Sequence, residues 1–96
     1  MAHLVAGMMR DIGFNVELIS AGPDGAPPVV LGCIGGRGDR VLPLYNHYDV
    51  KPVDRLDERV NLSFEPDVRD GKVYARGTAD NKGSIVSRVC TLEALA

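Results

Sequence analysis

Apolar side chains recur at helical spacing near the start of the chain and then alternate with polar side chains. Residues 2–12 carry apolar side chains three and four positions apart, at Leu4, Val5, Met8, Met9 and Ile12. This spacing places them on one face and predicts an amphipathic helix, with Gly13 as its C-cap. Residues 14–19 alternate apolar and polar side chains, which predicts a half-buried strand.

Three more strands are predicted from short apolar runs bounded by turn-forming residues. Residues 28–34 and 41–45 form two such runs. The 41–45 run is apolar on both faces, which favours a central strand, although Pro43 within it has no amide proton for a ladder. Asp70-Gly71 predicts a tight turn before a third, short strand at residues 72–74.

The chain is predicted to end in a helix, because apolar residues again recur at helical spacing after Gly83. They are Ile85, Val86, Val89, Leu92 and Leu95. Residues 49–69 include many charged residues and prolines, and their apolar positions show no helical or strand period. This predicts an irregular excursion of the chain, without regular secondary structure. The element order α-β-β-β-β-α predicts the α/β class, with helices flanking a sheet.

Composition and charge narrow the function classes. The 96 residues carry a formal net charge of -2, whereas nucleic-acid binding calls for a strongly basic face. No apolar run approaches the roughly 20 residues that span a bilayer, and the first residues do not resemble a signal peptide. Cys33 and Cys90 are expected to be small buried side chains, not a disulfide. A cytoplasmic protein that binds neither nucleic acid nor membrane is expected.

The strongest chemical candidates are His47 and Asp49, which follow directly after the predicted 41–45 strand. Ligands gather where strands of an α/β sheet end, and imidazole nitrogen is a preferred zinc donor. Residues two apart share a side of an extended chain, so Asp49 could accept the other ring N–H of His47 and orient it. The alternative is a surface histidine beside an aspartate.

Asp80 is the second candidate metal ligand. It lies in a predicted turn between Gly77 and Gly83, which permit unusual backbone angles. A carboxylate oxygen here could bind a metal. The alternative is that Asp80 or Asn81 caps the final helix through its side chain.

The two turns and their flanks form a joint pattern of four segments. They are His47-Tyr48-Asp49-Val50-Lys51-Pro52, Phe64-Glu65-Pro66, Asp70-Gly71 and Tyr74-Ala75-Arg76-Gly77-Thr78-Ala79-Asp80-Asn81-Lys82-Gly83. With these segments the chain resembles the M20 family of zinc metallopeptidases and amidohydrolases over roughly residues 27–96. Asn46 and Ala75 stand where that family usually has glycine, and the chain has no tryptophan.

The resemblance implies a role for each candidate residue. His47 becomes a zinc ligand, Asp49 the catalytic carboxylate that orients it, and Asp80 a carboxylate that bridges two zinc ions. It also implies hydrolysis of a peptide or amide bond, as in a dipeptidase, carboxypeptidase or acylase. The expected substrate is a small peptide or an N-acyl amino acid. Manganese or cobalt could replace zinc in such a donor set.

The resemblance also implies that residues 1–96 form an incomplete, N-terminal part of a catalytic domain. The family's glutamate pair, its further acidic ligand, its C-terminal histidine and its inserted dimerisation domain have no counterpart in this sequence. We therefore expect the isolated chain to bind zinc weakly and to lack activity. The alternative is a non-catalytic interaction module that exposes a sheet edge, and a homo-oligomer stays open under either interpretation.

Overall fold

A computed structural model of the chain describes residues 1–50 and 65–95. A π-type turn over Thr78–Lys82 precedes the last helix. The elements are helix α1 (Ala2–Asp11), strands β1 (Asn15–Ile19), β2 (Val29–Cys33), β3 (Asp67–Arg69) and β4 (Lys72–Tyr74), and helix α2 (Gly83–Leu95). The mixed α/β class is confirmed. Most of the predicted irregular excursion lies outside the described residues.

The described residues divide into two compact units, one made of Met1–Leu44 with the chain from Val89 onward, the other of Tyr45–Arg88. In the first unit β1 and β2 form an antiparallel pair, with Asn15 opposite Cys33. Helix α1 packs against both strands. Less exposed positions alternate with exposed ones in β2 and at the start of β1, as the sequence pattern predicts.

Helix α1 ends at the predicted glycine through two backbone hydrogen bonds. The Gly13 N–H donates to Arg10 O at 3.0 Å and the Phe14 N–H donates to Met9 O at 3.0 Å. This pair of bonds is the Schellman arrangement, which places its C′ residue in the left-handed region. Gly13 has φ of 98°, so a residue without a side chain meets the requirement of this turn.

The second unit contains a hairpin of β3 and β4, in which Asp67 lies opposite Tyr74. Asp70 and Gly71 connect the strands with φ of 51° and 73°, the two positive values of a type I′ turn. The Arg69 guanidinium lies 4.4 Å from the centre of the Tyr74 ring, a cation–π contact across the hairpin. The tight turn and the 72–74 strand are confirmed, and β3 is an additional strand.

The predicted central strand at 41–45 is wrong: this segment is assigned no strand, and Val41 and Leu42 are 88% and 80% exposed. A β-strand exists only where a neighbour completes its hydrogen-bond ladder. Both sheets formed by the described residues are two-stranded, so neither includes 41–45. Pro43 also lacks the N–H that a central position needs.

Buried apolar side chains are few in the described part of the chain. Ala2 and Ala6 of α1 and Ile85 of α2 are buried. Cys33 and Cys90 are free and exposed, so the prediction that they are buried is wrong. No helix within residues 1–50 or 65–95 has both the length and the apolar character needed to span a bilayer.

Replacing Gly13 with alanine is expected to lower the free energy of unfolding by about 1 kcal/mol, because a Cβ is disfavoured at positive φ. Gly7→Ala is the matched control. Gly7 lies inside α1, and an added Cβ meets nothing within 4 Å. This control is expected to raise stability by about 0.5–1 kcal/mol through helix propensity. Urea unfolding measures both changes, and equal effects in the two variants would contradict the assignment of Gly13 as the turn residue.

Candidate functional site

The His47 imidazole lies between two carboxylates in the second unit. Its Nδ1 is 3.1 Å from Asp49 Oδ1 and 3.3 Å from the Asp49 carbonyl oxygen. Its Nε2 is 3.0 Å from Asp80 Oδ1. The structure therefore brings together all three residues that the sequence singled out, with Asp49 and Asp80 on opposite nitrogens of one ring.

The Thr78–Lys82 turn, which carries Asp80, has an unusual backbone. Gly77, which precedes this turn, has φ of 84°. Asp80 itself departs from helical angles, with φ of -120° and ψ of 85°, and its peptide bond to Asn81 is cis. Gly83, which could also adopt unusual angles, has the ordinary helical values of -59° for φ and -41° for ψ. It begins α2, and an added Cβ there would overlap the Thr78 carbonyl oxygen.

The observed contacts of Asp80 and Asn81 do not favour the alternative that one of these side chains caps the final helix. Asp80 Oδ1 faces the His47 ring, and the Asn81 side-chain amide donates to the backbone carbonyl of His47 at 3.4 Å. Both side chains therefore contact His47, 33 and 34 positions earlier in the sequence.

The two carboxylates change the protonation of His47. Partial desolvation lowers the pKa of His47, but the Asp49 carbonyl and the negative charges of Asp80 and Asp49 together raise it by more. The net result is a pKa above the ordinary 6.5. A neutral ring has one N–H and can donate to one carboxylate, whereas the imidazolium donates to both. In the metal-free chain, the site therefore favours a proton on each nitrogen.

Two further residues hold the backbone beside His47, and sequence reasoning missed them as functional residues. Arg88 Nη1 donates to Tyr45 O at 2.6 Å and to Asn46 Oδ1 at 2.7 Å, and Asn81 Nδ2 donates to His47 O. Nothing in the sequence distinguishes this arginine from any other exposed arginine in an amphipathic helix. Only the contact across more than 40 positions identifies it.

His47 and Asp80 fit zinc in donor type and in spacing. Imidazole nitrogen and carboxylate oxygen bind zinc at about 2.0–2.2 Å, so two donors at a tetrahedral angle lie about 3.3 Å apart. The observed Nε2–Oδ1 distance is 3.0 Å. The number of donors is smaller than a zinc site needs, since no group of three or more His, Cys, Asp or Glu side chains suited to a metal occurs among the described residues.

Comparison with known proteins identifies relatives of this chain. The model of peptidase family M20/M25/M40 matches residues 44–96, more than half of the chain. The succinyl-diaminopimelate desuccinylase of Polynucleobacter necessarius subsp. necessarius (strain STIR1) is 37% identical over 94 residues. The chain belongs to the M20 family. The matched range includes His47, Asp49 and Asp80.

The desuccinylase alignment covers 94% of this chain and 24% of that relative. The chain thus spans about a quarter of the length of the curated M20 protein it matches. No solved structure is significantly similar to the chain. Membership of a hydrolase family is therefore established by sequence, while the two contacts of the His47 ring come from the structure itself.

Replacing either carboxylate with its amide is expected to lower the pKa of His47 in the metal-free chain, because each substitution removes a nearby negative charge. NMR titration of the His47 ring in Asp80→Asn and Asp49→Asn measures this change, with the His3 ring resonance as internal control.

The raised pKa of His47 also predicts how stability depends on pH. Since folding raises this pKa, the bound proton stabilises the fold below pH 6.5, and the stabilisation is lost as pH rises through the pKa of the folded state. The stability gap between wild type and Asp80→Asn should shrink over that range. An unchanged titration in both variants would contradict the contacts.

Gly77→Ala is expected to cost more stability than Gly71→Ala. Both glycines have positive φ, which costs an alanine about 1–2 kcal/mol. At Gly71 an added Cβ meets nothing within 4 Å, whereas at Gly77 it would overlap the Val50 side chain and lie 2.8 Å from Lys82 Nζ. The overlap should add about 1–3 kcal/mol. Urea unfolding of both variants measures the difference, and equal costs would show that Val50 and Lys82 move aside freely.

Proposed function

We propose that this M20 chain contributes part of the zinc site of a hydrolase that cleaves amide bonds, with His47 and Asp80 as metal ligands. The observation that carries the proposal is the 3.0 Å approach of His47 Nε2 to Asp80 Oδ1. This approach joins residues 33 positions apart. The exposed pair adds little to stability, so a structural role alone is a poor explanation for the arrangement.

Asp49 has the role of orienting His47. As acceptor at Nδ1, it keeps the ring proton on that nitrogen and leaves the lone pair of Nε2 available on the side of Asp80. Asp80 is 88% exposed and has two carboxylate oxygens, so it can also serve as the ligand shared by two ions. Zinc supplies Lewis acidity that polarises a carbonyl oxygen and lowers the pKa of water.

The proposed substrate class is an N-acyl amino acid or a small peptide. The similar desuccinylase is named for removing a succinyl group, and the matched family is described as peptidases. A peptide bond joins a carbonyl carbon to nitrogen, and a succinyl group carried on an amino group is held by the same kind of bond. The proposal for this chain is hydrolysis of that bond, with dipeptide and acyl amino acid as the substrates to compare.

Completion of the site requires further donors. Stable zinc sites have three or four protein ligands, and His47 with Asp80 supplies two. We propose that residues 1–96 form part of a larger catalytic domain that provides the other ligands and the general base. The chain by itself should then bind zinc weakly and hydrolyse nothing.

A second candidate function has one observation in its favour. Val41, Leu42 and Tyr45 are each at least 80% exposed in a segment with no strand partner among the described residues. Exposed apolar side chains beside backbone groups that belong to no ladder can receive a strand from another chain. Under this alternative the chain is a non-catalytic interaction module, and zinc has no effect on its association.

The test is zinc titration by calorimetry in a Cys33→Ser/Cys90→Ser background, because the two exposed thiols could otherwise bind zinc. Saturable binding is expected, and His47→Ala or Asp80→Ala should abolish it. Asp49→Ala should weaken it by about 10–100-fold, the usual effect of removing an orienting partner. His3→Ala is the matched control and should bind as the parent does.

Three outcomes would contradict parts of this proposal. Zinc binding that survives His47→Ala, or no binding by the parent chain, would remove the assignment of the ligands. Zinc-dependent turnover of dipeptides or N-acyl amino acids by the 96-residue chain would show that the site is complete. Self-association in size-exclusion chromatography that is independent of zinc and lost on Leu42→Asp would favour the interaction module.

A further inference from the structure

We infer that Arg88 is a positioning residue for His47, holding the backbone that carries this ligand at a fixed distance from Asp80. The inference rests on the proposed function for its chemical meaning, and on the contacts of Arg88 for its geometry. Arg88 does not touch the imidazole. It contacts the two residues immediately before His47 through Tyr45 O and Asn46 Oδ1.

The segment that carries His47 needs support from side chains. Residues 41–50 are assigned neither helix nor strand, and Tyr45 is 82% exposed. This segment therefore belongs to no sheet ladder formed by the described residues. The guanidinium of Arg88 replaces part of that missing support, since Nη1 donates to a backbone carbonyl at 2.6 Å and to a side-chain carbonyl at 2.7 Å.

The position of Arg88 in sequence gives these bonds their effect. Arg88 lies in α2, five residues after Gly83, where the helix begins. Asp80 lies in the turn that leads directly into the same helix. One continuous segment therefore carries the second ligand and the residue that anchors the first. Fixing Tyr45 and Asn46 to this segment limits how far His47 can move from Asp80.

Asn81 assists from the same turn. Its Nδ2 donates to the His47 carbonyl oxygen at 3.4 Å, a longer and weaker contact than either bond from Arg88. Hydrogen bonds from a charged donor are stronger than those between neutral groups. Arg88 is therefore the main anchor of the segment, and Asn81 is secondary.

Arginine is suited to this role for a chemical reason. Its planar guanidinium stays charged at all relevant pH values and holds its donors in fixed directions. Lysine keeps the charge, but its ammonium is a point charge on a flexible stem. Arg88→Lys should retain part of the anchoring, whereas Arg88→Met keeps a comparable apolar stem and removes every donor.

The experiment measures zinc affinity of Arg88→Met and Arg88→Lys by calorimetry in the same serine background. Arg88→Met is expected to weaken zinc binding by about tenfold, within the range found for residues that orient metal ligands. Arg88→Lys should fall between Arg88→Met and the parent. Arg37→Met, in an exposed loop of the first unit, is the matched control for loss of one charge and should leave binding unchanged.

A second measurement does not need the metal. Nuclear Overhauser contacts between the His47 ring and the Asp80 turn should be present in the metal-free parent and in Arg37→Met, and should be lost in Arg88→Met. Circular dichroism should show unchanged helix content in all three. In an Asn46→Ala background, the effect of Arg88→Met on the His47 contacts should be smaller. One acceptor of Arg88 is already absent there, so the two changes are coupled.

The outcomes separate this inference from the proposed function. If Arg88→Met binds zinc as tightly as the parent and keeps the His47 contacts, the inference is overturned and the ligand assignment stands. If the parent binds no zinc, the proposed function fails, and the metal-free contacts alone decide on Arg88. Loss of helix content in Arg88→Met that Arg88→Lys does not restore would make Arg88 a structural residue and overturn the positioning role.

Discussion

The two ring nitrogens of His47 point away from each other, and this rigid geometry is the constraint around which the functional part of the chain is arranged. One nitrogen contacts a carboxylate two residues later, and the other contacts a carboxylate in the turn before α2. A flexible side chain could satisfy either contact alone, but a planar ring satisfies both only when the two backbone segments are held in one orientation. The positive φ of Gly77 and the bonds from Arg88 serve that requirement.

Elements fixed by local chemistry were predictable from the sequence. Helix α1 follows from the spacing of its apolar residues. Its Schellman end follows from Gly13 and the hairpin turn follows from the Asp70-Gly71 pair, because both need a positive φ that few residues adopt. The segment at 41–45 failed for the opposite reason. Its apolar character shows that it can be a strand, but only a neighbouring strand makes it one. Strand β3 was missed because Val68 is its one apolar residue.

The functional site was predictable to a different depth for each residue. The pairing of His47 with Asp49 follows from the two-residue period of extended chain. The approach of Asp80 follows from no periodicity, and was expected only through the resemblance to the M20 family. Arg88 was not predictable at all, since an exposed cation in a helix has many equivalent interpretations until its acceptors are known. Long-range contacts of polar side chains are the information that the sequence pattern omits.

The β3–β4 hairpin also has a consequence for how the two ligands meet during folding. His47 and Asp80 can approach only after the chain between them closes a loop, and the entropy of closure grows with the logarithm of loop length. A hairpin with a two-residue turn forms in about 1–10 μs, faster than most contacts between distant segments. Its formation takes eight residues, 67–74, out of that loop. The resulting gain is about 0.2–0.3 kcal/mol, so a formed hairpin slightly lowers the entropic cost of bringing His47 and Asp80 together.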